Sequence, residues 1–289
     1  MKLLVTGAAG MLGRDVCHVA QRAGHEPIAI DLPELDITDP SAVRAFLQER
    51  RPAAILNCAA WTDVDGAETH SEQAHVVNAD GAGNLARAAA AIDVPLLHIS
   101  TDYVFDGRAP LDAAGHPRPY VERDPTGPRS VYGHSKLAGE QQVLAASPHH
   151  VVVRTAWLYG LHGRNFVDTM LRLADEREAV QVVDDQTGSP TWSGHLAPAL
   201  VGLLEREVSG LVHLTGGGAI SWNGFAQEIF RQAERDCRVE PATSEQMARP
   251  AERPAWSVLE SEREDVLPMP DWRDGLAGYL AARAGMMRA

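Results

Sequence analysis

The hydrophobic pattern of the first half of the chain alternates between two periods. Short, almost uninterrupted apolar runs occur at residues 3–6, 27–30, 54–57, 96–100 and 151–155, and runs of this length and β-branched content predict buried strands. Between them, apolar residues recur at helical spacing over residues 13–23, 41–50, 71–91 and 131–146. Asp39-Pro40-Ser41 supplies a start signal for the second helix, with Asp39 or Ser41 as cap and Pro40 in the first turn. Strand–helix alternation predicts an α/β fold, a Rossmann-type doubly wound parallel sheet, because each parallel crossover must return over a face of the sheet.

Beyond about residue 158 the rhythm becomes irregular. Residues 166–178 are amphipathic, 180–183 and 211–214 are strand-like, a helix is expected over 195–207 and a last one over 272–283, and 241–254 is rich in helix and strand breakers. The pattern predicts a dinucleotide-binding domain over 1–158, joined by later strands from about 180–220. A smaller, discontinuous C-terminal substrate lobe takes up most of 159–289.

Composition narrows the function. A chain of 289 residues with 45% hydrophobic and 22% charged residues is that of an ordinary globular enzyme. Its formal net charge of −13 argues against nucleic acid or an anionic membrane as partner, since both select cationic surfaces. Cys17, Cys58 and Cys237 are odd in number and widely spaced, which predicts reduced thiols and neither a disulfide framework nor a metal site. The apolar run at the N-terminus is too short for a signal peptide and no ~18-residue apolar stretch occurs, so a cytoplasmic protein is expected.

The first strand runs into Gly7-Ala8-Ala9-Gly10-Met11-Leu12-Gly13 and then into a helix. Glycines between a first strand and a first helix permit a tight turn and close approach of backbone to a pyrophosphate, which the helix N-terminus favours electrostatically. Gly7, Gly10 and Gly13 are therefore cofactor-binding candidates. Asp31 follows the second strand, where a carboxylate can accept hydrogen bonds from adenosine ribose hydroxyls. Arg14 can instead pair with a 2′-phosphate, leaving NADH and NADPH both open.

Tyr132 and Lys136 are four apart on a predicted helix, hence on one face. Ser100-Thr101-Asp102 closes the fourth strand at the end of the sheet where doubly wound folds bind ligands. A free tyrosine, with a pKa near ~10, is a poor acid–base catalyst at neutral pH until a cation favours its phenolate. Lys136 is expected to lower it, and Thr101 to donate a hydrogen bond to the reacting oxygen.

These segments, with Asn57-Cys58-Ala59-Ala60-Trp61-Thr62-Asp63, Ser100-Thr101-Asp102-Tyr103-Val104-Phe105, Tyr132-Gly133 through Lys136 to Gly139-Glu140, and Arg154-Thr155-Ala156-Trp157, resemble the extended short-chain dehydrogenase/reductase superfamily. Within it the likeness is to the dTDP-4-dehydrorhamnose reductase family, and it covers nearly the whole chain. Cys58 stands where that family usually has alanine. The resemblance implies NADPH- or NADH-dependent reduction of the C4 ketone of dTDP-4-dehydro-L-rhamnose, with Tyr132 as proton donor and Lys136 also holding the nicotinamide ribose. It implies cofactor contacts from Gly10, Met11 and Leu12 at the pyrophosphate and from Asp31, Asp36 and Ile37 at the adenosine. Ala60, Trp61, Thr62 and Ile99 complete them. Thr101, Asp102 and Trp157 are implied to touch the sugar, and Asn165 and Arg253 the nucleotide diphosphate.

Partners implied are a nucleotide sugar and a second copy of the chain, as a homodimer. Some family members bind Mg2+ at a subunit contact, and Asp15 falls near such a position, although an aspartate in a helix's first turns is accounted for by the dipole. No catalytic metal is expected. Two other classes stay open. One is another nucleotide-sugar enzyme, a 4-reductase or 4-epimerase (a dehydratase is disfavoured because Tyr103, not glutamate, follows Asp102). The other is a non-catalytic regulatory subunit of the kind that accompanies methionine adenosyltransferase.

Overall fold

A computed structural model describes residues 1–286. The first half is strand β1 (Lys2–Thr6), helix α1 (Met11–Arg22), β2 (Glu26–Ile30), α2 (Pro40–Arg50) and β3 (Ala54–Asn57). There follow α3 (Val64–Ala67), α4 (Ser71–His75), a π-helical turn (Val76–Gly81), α5 (Ala82–Ala90), β4 (Leu96–Thr101), α6 (Val131–Ala146) and β5 (Val151–Thr155). Asp39 caps α2 by accepting from the Ser41 and Ala42 amides at 2.8 and 3.1 Å. Ser130 caps α6 through the Gly133 amide.

The second half contains β6 (Leu158–Tyr159), α7 (Phe166–Glu176), β7 (Ala179–Val183), β8 (Thr187–Gly188), β9 (Thr191–Trp192) and α8 (Ser193–Glu205). It closes with β10 (Gly210–His213), β11 (Ile220–Ser221), α9 (Trp222–Gln232), β12 (Arg238–Ala242), β13 (Trp256–Ser257) and α10 (Trp272–Met286). No helix among the described residues is long and apolar enough to cross a membrane.

Six parallel strands form the central sheet in the order β2-β1-β3-β4-β5-β10. Successive side chains of a strand face opposite sides, and the interior strands are apolar on both because both sides are covered. Leu3, Val5 and Leu56 pack with Val16 of α1 and Leu200 of α8. Leu4, Ile55 and Val152 pack on the other face with Leu47 of α2, Leu85 of α5 and Val143 of α6. Chain direction across the sheet reverses between β1 and β3, and a crevice opens there beyond the strand ends.

Two readings of the second half change. Residues 211–214 supply β10 of the sheet, but 180–183 do not join it. They lie in β7, which pairs in parallel with β12 as a separate two-stranded sheet. The reason is local company: Val180 and Val182 bury against Val167 and Leu171 of α7 and Phe225 and Ile229 of α9, in a core of their own. Conversely α8, sequentially in the second half, belongs to the layer that covers the central sheet. The breaker-rich region starts in β12, whose Pro241 is tolerated because both strands of this pair are edges.

Candidate active site

A cleft of about 1360 Å³ runs along the C-terminal ends of the central strands. Its floor is the glycine turn. Gly7 adopts φ +68°, and a Cβ there would come within 2.6 Å of the Ala59 amide nitrogen, so β1 and β3 can approach only with glycine at this position. A Cβ on Gly13 would run into the Gly7 carbonyl oxygen. Gly10 caps α1 with no side-chain hydrogen bond, so no side-chain oxygen competes for the first-turn amides. That cradle fits a dinucleotide pyrophosphate.

Gly7, Gly10, Met11, Leu12 and Gly13 line the cleft, as do Asp31, Asp36 and Ile37 beyond β2. Asp31 also braces the turn, its carboxylate accepting from the Ala9 and Leu32 amides at 2.9 Å each. Ala60, Thr62 and Ile99 line the cleft too. Trp61 is not among its lining residues. Its indole N–H donates to the Asp63 carbonyl and its ring lies against His70, while its amide donates to Asn78.

Thr101, Asp102, Tyr132 and Lys136 converge on one side of the cleft. Gly133 and Gly139 bring α6 close, because Cβ atoms there would strike the Tyr103 and Asn78 carbonyls respectively. Thr101 donates to Asp102 Oδ1 at 3.0 Å and hydrogen-bonds the Tyr132 phenol. Burial pushes the Asp102 carboxyl up to about 6 against the hydrogen bonds of Ser257 and Thr101, and among the described residues its Oδ2 has no hydrogen-bond partner. The Tyr132 ring meets Tyr103 edge-on at 5.5 Å.

The expected tuning of Tyr132 by Lys136 is not what this geometry gives. Burial, with the charge of Asp102 adding to it, pushes the phenol up to about 12, and only the Thr101 hydrogen bond opposes. Lys136 Nζ turns away, donating to the Ile99 carbonyl at 2.7 Å and lying 3.3 Å from His98 Nε2. Burial lowers the Lys136 ammonium to about 8, although the charge of the Glu140 carboxylate acts to raise it. At neutral pH Tyr132 is thus a protonated phenol, the form a proton donor needs.

Trp157 holds φ +48°, a region that bulky residues rarely adopt. Its ring stacks on Trp222 with centroids 3.6 Å apart, and a Cβ on Gly188 would occupy its place. Both indoles line the cleft. Arg253 lines it as well, tied by paired hydrogen bonds of 2.9 and 2.8 Å to Asp65. Burial opposes its charge, but the Asp65 hydrogen bond and the nearby acidic groups outweigh that and hold it above the ordinary arginine value. Asn165 lies outside the cleft lining. It caps α7, accepting from the Asp168 amide at 2.9 Å and donating to the Gly160 carbonyl, so its polar atoms are committed to local structure. Asp15 accepts from the Ser193 hydroxyl and lies 3.8 Å from His162. Among the described residues no group of three or more acidic, histidine or cysteine side chains is arranged to hold a metal ion.

Sequence reasoning did not single out His98, although a histidine in the middle of an apolar strand is itself a signal. It is fully buried between Asn57 and Lys136. It also passed over the buried ion pair of Glu140 and Arg154, with bonds of 2.9 and 2.7 Å and a third from Ser100 at 2.5 Å.

The chain matches the family described as RmlD substrate binding domain over residues 1–284. It is 46% identical to a dTDP-4-dehydrorhamnose reductase of Streptomyces griseus, covering 98% of this chain and 94% of the relative. It is 44% identical to a dTDP-4-keto-6-deoxy-D-glucose reductase of Streptomyces niveus, covering 94% of each. A solved dTDP-4-dehydrorhamnose reductase from Bacillus anthracis, in complex with NADP, superposes with a TM-score of 0.92 at 38% identity, covering 97% of this chain and 99% of that one.

Proposed function

Because the chain belongs to the RmlD substrate binding domain family, that of the dTDP-4-dehydrorhamnose reductases, we propose that its cleft reduces the C4 ketone of dTDP-4-dehydro-L-rhamnose to dTDP-L-rhamnose. The chain is an NAD(P)H-dependent oxidoreductase. The observation that carries the assignment is that Thr101, Tyr132 and Lys136 line the same cleft as the glycine cradle.

When bound, the reduced nicotinamide supplies the hydride. The chain's residues do the rest. The Gly7–Gly13 turn and the N-terminus of α1 hold the pyrophosphate, and Asp31, Asp36 and Ile37 face the adenosine end. Ala60, Thr62 and Ile99 line the path between. Thr101 donates to the ketone oxygen as negative charge grows there, and Tyr132 delivers its proton to the same oxygen. Lys136, by swinging Nζ from the Ile99 carbonyl towards the cleft, supports the phenolate that Tyr132 leaves and anchors the nicotinamide ribose. Asp102 and Trp157 contact the sugar, and Arg253, released in part from Asp65, meets the diphosphate. The C-terminal lobe, with β7 and β12 at its base, carries the nucleotide-sugar half of the cleft.

The 44% identity with the S. niveus enzyme supports a second reading, reduction of a different dTDP-4-keto-6-deoxy sugar at the same site. The test is to incubate the protein with NADPH or NADH and each of the two 4-keto sugars, following loss of reduced nicotinamide. One cofactor consumed per dTDP-4-dehydro-L-rhamnose supports the first reading, and selective consumption with the gluco sugar supports the second. No oxidation of either cofactor with either sugar overturns both.

A further inference from the structure

A chain of buried polar groups runs under the site and is not used by the chemistry described so far. Thr6 donates to Asn57 Oδ1 at 2.7 Å, and the Ala59 amide donates to the same oxygen at 3.0 Å. A backbone N–H can only donate, so the orientation of the Asn57 amide is settled and its Nδ2 must donate to His98 Nδ1, 2.9 Å away. Burial, aided by the charge of Lys136, holds the His98 ring well below the usual histidine range, so it is neutral and carries one ring proton. With Nδ1 accepting, that proton is on Nε2, which lies 3.3 Å from Lys136 Nζ.

We propose that His98 is a positioning residue for Lys136: locked by Asn57 in its Nε2–H tautomer, it presents a donor to Nζ and so favours the amine over the ammonium. An ammonium at Nζ would set donor against donor, relieved only by moving the histidine proton to Nδ1, where it would meet the Asn57 amide. Composition points the same way. Of 26 basic residues only Lys2 and Lys136 are lysines, and Lys2 is exposed. Arginine serves almost everywhere else and does not give up its proton. The single buried basic position with lysine is the one where a charge must be able to come and go. The proposal rests on the reading of Tyr132 and Lys136 as the acid–base centre.

The other groups around Nζ are accounted for. From its own helix come Tyr132 and Glu140, the latter engaged by Arg154 of β5 and Ser100 of β4. From the end of β3 comes the Cys58 thiol, which burial pushes up and so keeps neutral. Of Tyr132, Glu140 and Cys58 only the Glu140 carboxylate carries a charge, and it acts to raise the Lys136 value. The histidine donor and burial act to lower it.

Two lysines make the experiment direct. The full chain, labelled with 13C at lysine Cε, gives two signals to assign, and Lys2→Arg removes one. The Lys136 signal should titrate near 8. In His98→Leu its midpoint should rise by about one pH unit or more. In His98→Gln, whose amide can accept from Asn57 and donate to Nζ, it should return to near the wild-type value. A midpoint unmoved in His98→Leu overturns the proposal. Should that variant not fold, the 15N shifts of the wild-type His98 ring decide: a protonated Nε2 and bare Nδ1 support it, and a protonated Nδ1 overturns it. None of these readings needs substrate, so failure of cofactor oxidation would sink the proposed activity while leaving the titration to be judged by itself.

Discussion

Two buried basic side chains meet α6 one helical turn apart and are treated in opposite ways: Lys136 belongs to the helix, and Arg154 reaches its Glu140 from β5. Arg154 is paired through two hydrogen bonds with Glu140, and its guanidinium also lies over the Phe105 ring at 4.9 Å. Lys136, four residues before Glu140, hydrogen-bonds the neutral His98 ring and the Ile99 carbonyl. A buried charge given a carboxylate stays charged and structural. One given only dipoles is left close to its titration point, which is where an acid–base group is useful. The same division separates Asp102, with an unpartnered oxygen, from Asn165, whose polar atoms are spent on a helix cap.

Lys136→Met separates the two basic residues by the widest margin. Turnover should fall by about 10²–10⁴-fold. Yet folding stability at pH 7 should rise by about 1–3 kcal/mol, because the lysine's folded-state value is depressed and an ammonium is being buried at a cost. A lowered lysine costs stability below its folded value of about 8 and regains it as pH rises towards 10.5. The gain measured by denaturant melts should therefore shrink over that window. Glu140→Gln is the mirror case: it strands Arg154 and should cost about 3–5 kcal/mol, read as a lower midpoint in urea. A Lys136 variant that unfolds like the Glu140 variant would erase the distinction.

Asp102→Asn sharpens it on the acidic side. A carboxyl raised from 3.8 to about 6 is most stabilising when protonated, and that contribution is lost as pH rises through the window. The asparagine variant should thus be more stable than wild type by about 1–3 kcal/mol at pH 8 and equal to it near pH 4. Smallest of all, Asn165→Ala should cost about 1 kcal/mol through loss of the α7 cap and leave the KM for the nucleotide sugar unchanged. A large rise in KM would return Asn165 to the substrate site.

Much of the first half could be read directly. Leu3 to Val5 and Ile55 to Leu56 are apolar on both faces because both are covered, and that pattern needs no knowledge of the neighbours. Tyr132 and Lys136 were legible for a similar reason, since helical spacing alone puts them together. Other features depend on contacts distant in the chain. The helix expected over 71–91 contains a π-helical turn at Val76–Gly81, where Asn78 bonds the Trp61 backbone and the Ser135 hydroxyl. Residues 180–183 look like any buried strand, and pairing with β12 some sixty residues on, with packing against α7 and α9, keeps them out of the central sheet. Asn57 and His98 lie 41 positions apart, and no local period marks them as partners. The direction of the Tyr132 shift also escaped, because it follows from where Nζ turns, towards Ile99 and His98 rather than the phenol.

Proton donation by Tyr132 in a cofactor-driven ketone reduction can be tested in a single assay. Wild type and Tyr132→Phe are compared for NADPH oxidation with dTDP-4-dehydro-L-rhamnose, with NADPH affinity measured alongside by its fluorescence. The expected result is a loss of turnover of about 10²–10⁴-fold in the variant with NADPH bound as tightly as before. A variant that keeps wild-type turnover would contradict it, and the proton would have to come from another group.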